Sequence, residues 1–121
     1  MPIPEQTLYS ALQNDPTISG MVALRVYPAN EVQDTTMPLL TYQRISTTPF
    51  PVLSGTNGLL AARMQISAWG STYGESKTLA NAVYTALEGE PNMRFLNEMD
   101  RFDESVDLNF TVLDFTVWNT S

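Results

Sequence analysis

Apolar and polar residues alternate with a period of two along LLAARMQISAW, residues 59–69. Leu60, Ala62, Met64, Ile66 and Ala68 fall on one face, and Arg63, Gln65 and Ser67 on the other. That is the pattern of a strand in a sheet covered on one side. The period then changes. In TYGESKTLANAVYTALEG, Leu79, Val83, Ala86 and Leu87 line up at helical spacing. Thr72 and Glu75 fit the T-x-x-E capping box, in which each side chain satisfies a free backbone donor at the helix start. Gly89 fits the left-handed residue past a helix end, and Pro91 prevents resumption. In PEQTLYSALQND, Leu8, Ala11 and Leu12 make a similar stripe. It predicts a first helix with Glu5 in its opening turn, stopped by Asp15-Pro16.

The remaining segments read as strands. MVALRVYP predicts a short one around Leu24 to Tyr27. PLLTYQRIS, 38–46, is rich in β-formers, with Tyr42 and Ile45 as packing residues. It forms a hairpin with 59–69, whose long tip covers 47–58 and holds two prolines and two glycines. After the second helix, NMRFLNEMDRFDESVD is the least regular stretch: a short strand near Arg94 to Leu96, then an acidic turn. LNFTVLDFTVWNTS closes the chain as a long strand. Phe110, Val112 and Trp118 share one face, and Leu113, Phe115 and Val117 the other. Apolar side chains on both faces predict a central strand or a second buried surface. The expectation is an α+β fold: one domain over 1–121, with a mostly antiparallel or mixed four-stranded sheet and two helices packed on one face.

Composition narrows the chemistry. The chain has 121 residues, 43% of them hydrophobic, enough for one ordinary core. It has neither cysteine nor histidine. Disulfides, thiolate metal sites, the commonest general base and the commonest metal ligand are therefore unavailable. The net charge is −7, and the six basic residues are scattered, so no cluster could neutralise a run of phosphates. No apolar run approaches the ~20 residues of a membrane span. The start, MPIPEQTLYS, lacks a basic stretch followed by an apolar one, so no signal peptide is expected.

Four places invite a chemical reading. AWGSTYGES, 68–76, followed by Lys77, resembles a phosphate cradle. A P-loop, however, needs four residues between its glycines and a Gly-Lys-Ser/Thr ending. Only three separate Gly70 from Gly74, and Glu75 would repel phosphate. The structural reading is a turn at Gly70 and a cap from Thr72 and Glu75. Glu98, Asp100, Asp103, Glu104 and Asp107 form an acidic run without the glycine and spacing of a calcium loop. They read as a solvated or partner-facing surface, and no metal or cofactor is expected. Asp114 interrupts an apolar strand and is expected to face water at a strand edge or to pair with an arginine such as Arg63 or Arg44. Phe50, Val52 and Leu53 strand apolar side chains in the hairpin tip, which marks either a local mini-core or an intermolecular contact.

The order of landmarks carries a resemblance. RVYP at 25–28, MPLLTYQRIS at 37–46, ARMQISAWGSTYGESKTLANAVYTAL at 62–87 and LNFTVLDFTVW at 108–118 follow one another in turn. This resembles the tail-terminator or tail-to-head joining family of long-tailed phages, also called tail completion proteins. The likeness spans nearly the whole chain and is poorest at 90–105. It implies a structural virion protein without catalysis, assembled in the host cytoplasm. The implied assembly is a ring, usually a homo-hexamer, at the head-proximal end of the tail. There it would end tail-tube polymerisation and join tail to head. The implied partners are the tail-tube protein and a head connector or stopper, with genome DNA passing through without specific binding and no membrane involved. The acidic residues would then face the lumen or a basic partner. The competing readings are a head-proximal connector adaptor or minor capsid component, and a small carboxylate-based hydrolase or metal-binding module.

Overall fold

A computed structural model describes residues 4–49 and 59–120. The chain runs α1 (Pro4–Gln13), α2 (Pro16–Val22), β1 (Val26–Pro28), β2 (Leu39–Pro49), β3 (Leu59–Gly70), α3 (Tyr73–Glu88), β4 (Met93–Asp103) and β5 (Leu108–Thr120). The five strands form one mixed sheet in the order β1-β2-β3-β5-β4. β1 joins β2 in parallel, and every other pairing is antiparallel. Among the described residues the sheet therefore has one strand more than the alternation predicted, and there are three helices where two were expected.

The extra helix comes from Asp15-Pro16. The dipeptide does end α1, but it also starts α2. The Asp15 side chain accepts hydrogen bonds from the Thr17 and Ile18 amides at 3.0 and 3.1 Å, and Pro16 occupies the first helical position, where its missing donor costs nothing. α2 absorbs Met21 and Val22, so the following strand begins only at Val26. Two further expectations fail locally. Gly89 caps α3 with φ −88°, an ordinary right-handed value. Ile45 is exposed because it is the extra residue of a β-bulge: Arg44 pairs with Met64 and Ser46 with Arg63, leaving Ile45 without a partner.

One face of the sheet holds the core. Ala62, Met64, Ile66 and Ala68 of β3 and Leu113, Phe115 and Val117 of β5 are fully buried there. Leu8 and Leu12 of α1, Ile18 and Val22 of α2, and Leu79, Val83 and Leu87 of α3 close over them. β5 lies between β3 and β4, as its two apolar faces required. The side chain of Leu60 and the tip residues Phe50, Val52 and Leu53 lie outside the described residues. The acidic turn expected after Leu96 is instead an eleven-residue strand, β4, so Glu98 and Asp100 sit within the sheet; the turn is confined to 104–107.

Gly70 acts through space. A Cβ there would lie 2.6 Å from the Ser76 amide nitrogen, because the start of α3 folds tightly over the end of β3. Thr72 caps that start, accepting from the Glu75 amide at 3.1 Å, while the Glu75 carboxylate accepts from the Ser71 amide at 2.8 Å. The box is reciprocal, with its return bond shifted by one residue. Thr72→Ala should lower unfolding stability by about 1 kcal/mol. Gly70→Ala should cost about 1–3 kcal/mol, because backbone must move to admit the methyl group. Denaturant midpoints measured at constant m-value check both.

Candidate assembly surface

The sheet face opposite the helices has no covering layer among the described elements, yet it is far from polar. Trp69 of β3 and Phe110 of β5 are direct cross-strand partners. Their rings stack at 4.2 Å and 18°, and the Trp69 indole donates to Thr41 Oγ1 at 3.1 Å. Around this stack Leu39, Met99, Val112 and Met37 form a groove of about 560 Å3, within the roughly 300–1,000 Å3 typical of binding pockets. Thr41, Gln43, Gln65 and Ser67 give it hydroxyl and amide edges. Its one lining cation, Arg101, donates to Met99 Sδ at 3.2 Å. The groove draws residues from four strands. Only its Phe110 and Val112 side was visible as a pattern, in the two-faced alternation of β5.

Asp114 lies farther along this face. It is 2% exposed and pairs with Arg63 at 2.7 Å, one of the two arginines expected. It does not sit at a sheet edge: β5 is central, and Gln65 and Asn97 flank it on the neighbouring strands. One carboxylate oxygen, Oδ1, has no hydrogen-bond partner. Removing Arg63 would leave a buried carboxylate uncompensated. Arg63 is itself half exposed, which moderates the loss. Arg63→Met should lower stability by about 2 kcal/mol, and adding Asp114→Asn should recover part of that loss in a double-mutant cycle.

The start of α3 carries the second polar cluster. Ser76 is buried and donates to the Ala68 carbonyl at 2.9 Å; its oxygen also lies 2.9 Å from Thr111 Oγ1. A hydroxyl committed in this way ties helix to sheet and is not presented as a nucleophile. Lys77 donates to Glu98 at 2.6 Å and to Asp100 at 2.9 Å, and the Tyr73 hydroxyl donates to Asp100 at 3.0 Å. A second bulge, at Leu96, makes this possible: Phe95 pairs with Phe115 and Asn97 with Asp114, so the strand's faces exchange and Glu98 and Asp100 turn toward α3. The five carboxylates are therefore divided. Glu98 and Asp100 meet Lys77, while Asp103, Glu104 and Asp107 gather at the β4–β5 turn. There the Asp103 carboxylate accepts from the Ser105 amide and hydroxyl. No group of three or more metal-ligating side chains occurs among the described residues. No described helix is long and apolar enough to cross a membrane.

The hydrogen bond from Lys77 holds the Asp100 carboxyl below its usual range against partial desolvation, with Tyr73 adding to the effect. The Lys77 ammonium is correspondingly pushed up, first by Glu98. A carboxylate whose folded pKa is depressed stabilises the fold above its unfolded value, about 3.9, and loses that contribution as pH falls through the folded value. The groups are partly exposed, so the effect is under about 1 kcal/mol. Lys77→Met should be slightly less stable than wild type near neutrality, and the gap should close below about pH 4. Acid unfolding followed by circular dichroism reads this directly.

With this geometry in hand, comparison decides the family. Residues 6–120 match the model of tail completion protein gp17. The chain belongs to the tail completion protein gp17 family. Its role is structural, in the completion of a phage tail. Two solved structures share the fold. A chain of the native gene transfer agent (GTA) virion particle matches with a TM-score of 0.74 at 19% identity, over 94% of this chain and 92% of that one. The gp17 protein of bacteriophage SPP1 matches with a TM-score of 0.61 at 16% identity, over 97% of this chain and 88% of that one. No curated protein sequence matches the chain. The family match includes 90–105, the segment where the sequence resemblance was poorest.

Proposed function

We propose that this tail completion protein forms a homo-hexameric ring at the head-proximal end of the tail. There it ends tail-tube polymerisation and joins tail to head. The observation that carries the reading is the family match over 6–120, and the apolar, uncovered sheet face supports it. A monomer has no need to keep a stacked Trp69–Phe110 pair and Met99 at its surface, whereas an assembling subunit does. In this reading the partners are the tail-tube protein on one side and a head connector or stopper on the other. The protein acts without catalysis, in the virion, after assembly in the host cytoplasm.

The acidic residues take a passive part. Asp103, Glu104 and Asp107 on the β4–β5 turn, with Glu98 and Asp100 beside them, face the lumen or a basic partner surface. Like charge keeps passing DNA from adhering to a lumen wall. Neutralising the three turn carboxylates should leave the melting temperature within a degree or two, and millimolar calcium should not raise that of the wild type. A rise of several degrees, lost on neutralisation, would reveal a cation site instead. Particles assembled without this protein should appear as loose heads beside overlong tails. Tails of normal length detached from complete heads would favour the adaptor reading.

A further inference from the structure

The strand pairings fix which residues of the two sheet edges, β1 and β4, stand at the same level. Val26 pairs with Leu40 in parallel, so Leu24 stands level with Pro38, and the Arg25 guanidinium donates to the Pro38 carbonyl at 3.1 Å. Leu39 pairs with Trp69, so that level passes through Gly70; Gly70 pairs with Asn109, and Asn109 with Phe102. Leu24 and Phe102 therefore occupy one level at opposite edges. Leu24 is 75% exposed and Phe102 51%. A single exposed apolar side chain means little, but a second relation falls in the same register. The 29–38 connection leaves β1 beside Tyr42 and enters β2 at Leu39, levels that on β4 run from Glu98 to Arg101. Glu31 is exposed on that connection and Arg101 on β4, and neither forms an ion pair among the described residues. Arg101 is the one cation of β4 at those levels, while Glu98 and Asp100 are engaged by Lys77. Four strand spacings put the two edges roughly 19 Å apart, so Leu24 cannot touch the Phe102 of its own chain.

We infer that copies meet through these unlike edges: Leu24 of one copy seats on Phe102 of the next, with Glu31 set against Arg101. The inference rests on the ring reading and supplies its contact. Side chains make the contact and no strand is added to the ladder, so the bulge and charges of β4 do not oppose it. Rotation about an axis running along the strands keeps each level in place and brings both pairs together at once. Burying Leu24 on Phe102 removes apolar surface from water. The Glu31–Arg101 pair sets direction and register more than strength. Unlike patches make the contact heterologous, the kind that closes into a ring when the rotation per subunit permits.

The absence of cysteine makes the test direct. Tails assembled with a chain carrying both Leu24→Cys and Phe102→Cys, then treated with a short bismaleimide, should yield a ladder of covalent multimers ending at the ring number. A mixture of the two singly substituted chains should yield covalent dimers only. Rings at the tail ends that give monomers only would overturn the edge contact while leaving the ring reading intact. Tail ends without rings would remove both. Charge reversal gives a second measurement. Glu31→Arg and Arg101→Glu should each melt like wild type but enter tails about tenfold less efficiently, because like charges then face each other across the contact. Combining the two reversals should restore entry. Single reversals that enter at the wild-type level, or a double reversal no better than either single one, would equally overturn the contact.

Discussion

The structure depends on covering one face of the β3–β5 pair. Ala62, Met64, Ile66 and Ala68 on β3 and Leu113, Phe115 and Val117 on β5 make that face almost wholly apolar, and only the joint stripes of α1, α2 and α3 exclude water from it. The small side chains Ala62 and Ala68 leave room for a helix to approach. At Gly70 the approach is so tight that even a methyl group does not fit. Removing each large side chain of this set would cost about 2–5 kcal/mol, a large share of the stability of a domain this size. Since all three helices are committed to this face, the other must be managed by its own residues. Arg63, Gln65 and Ser67 of β3 and Asp114 of β5 make part of it polar, while Trp69, Phe110 and Val112 leave the rest apolar.

The stretch that looked most like an active site is a joint. The Thr72 hydroxyl and the Glu75 carboxylate accept from the Glu75 and Ser71 amides as the chain turns from β3 into α3. Ser76 anchors the helix to the Ala68 carbonyl, and Lys77 reaches across to β4. Thr72, Glu75, Ser76 and Lys77 are all engaged in holding the helix over the sheet. The same economy holds at α1, where Arg44 of β2 grips the Glu5 carboxylate through two nitrogens. Burial alone would raise the Glu5 pKa, but the Arg44 contact more than reverses it.

Period-two and helical patterns were legible wherever one face met water and the other met the core. β3, α3 and the central position of β5 followed from residue spacing, and so did the option of an Arg63 partner for Asp114. What spacing could not reveal came from two sources. The first is residues with a double role: Asp15-Pro16 is as good a start as a stop, and α2 spans only Pro16–Val22, too short to show a stripe. The second is bulges. One extra residue at Ile45 and another at Leu96 reverse which side chains face the core. Past Leu96 the apolar residues Met99 and the acids Glu98 and Asp100 exchange faces, and a periodicity read straight through that point misses the strand. The groove was illegible for another reason: its residues come from four strands and the 29–38 connection, and only the sheet order brings them together.

The bulge in β4 also bears on how copies can meet. β4 is an edge strand of eleven residues, the element most prone to pair with a second chain. It is interrupted at Leu96 and carries Arg94, Glu98, Asp100, Arg101 and Asp103, so a flush partner strand would meet a kinked ladder and a row of charges. The sheet is thus guarded along its long edge by a kink and by charge, while the Trp69–Phe110 side of its open face is left apolar.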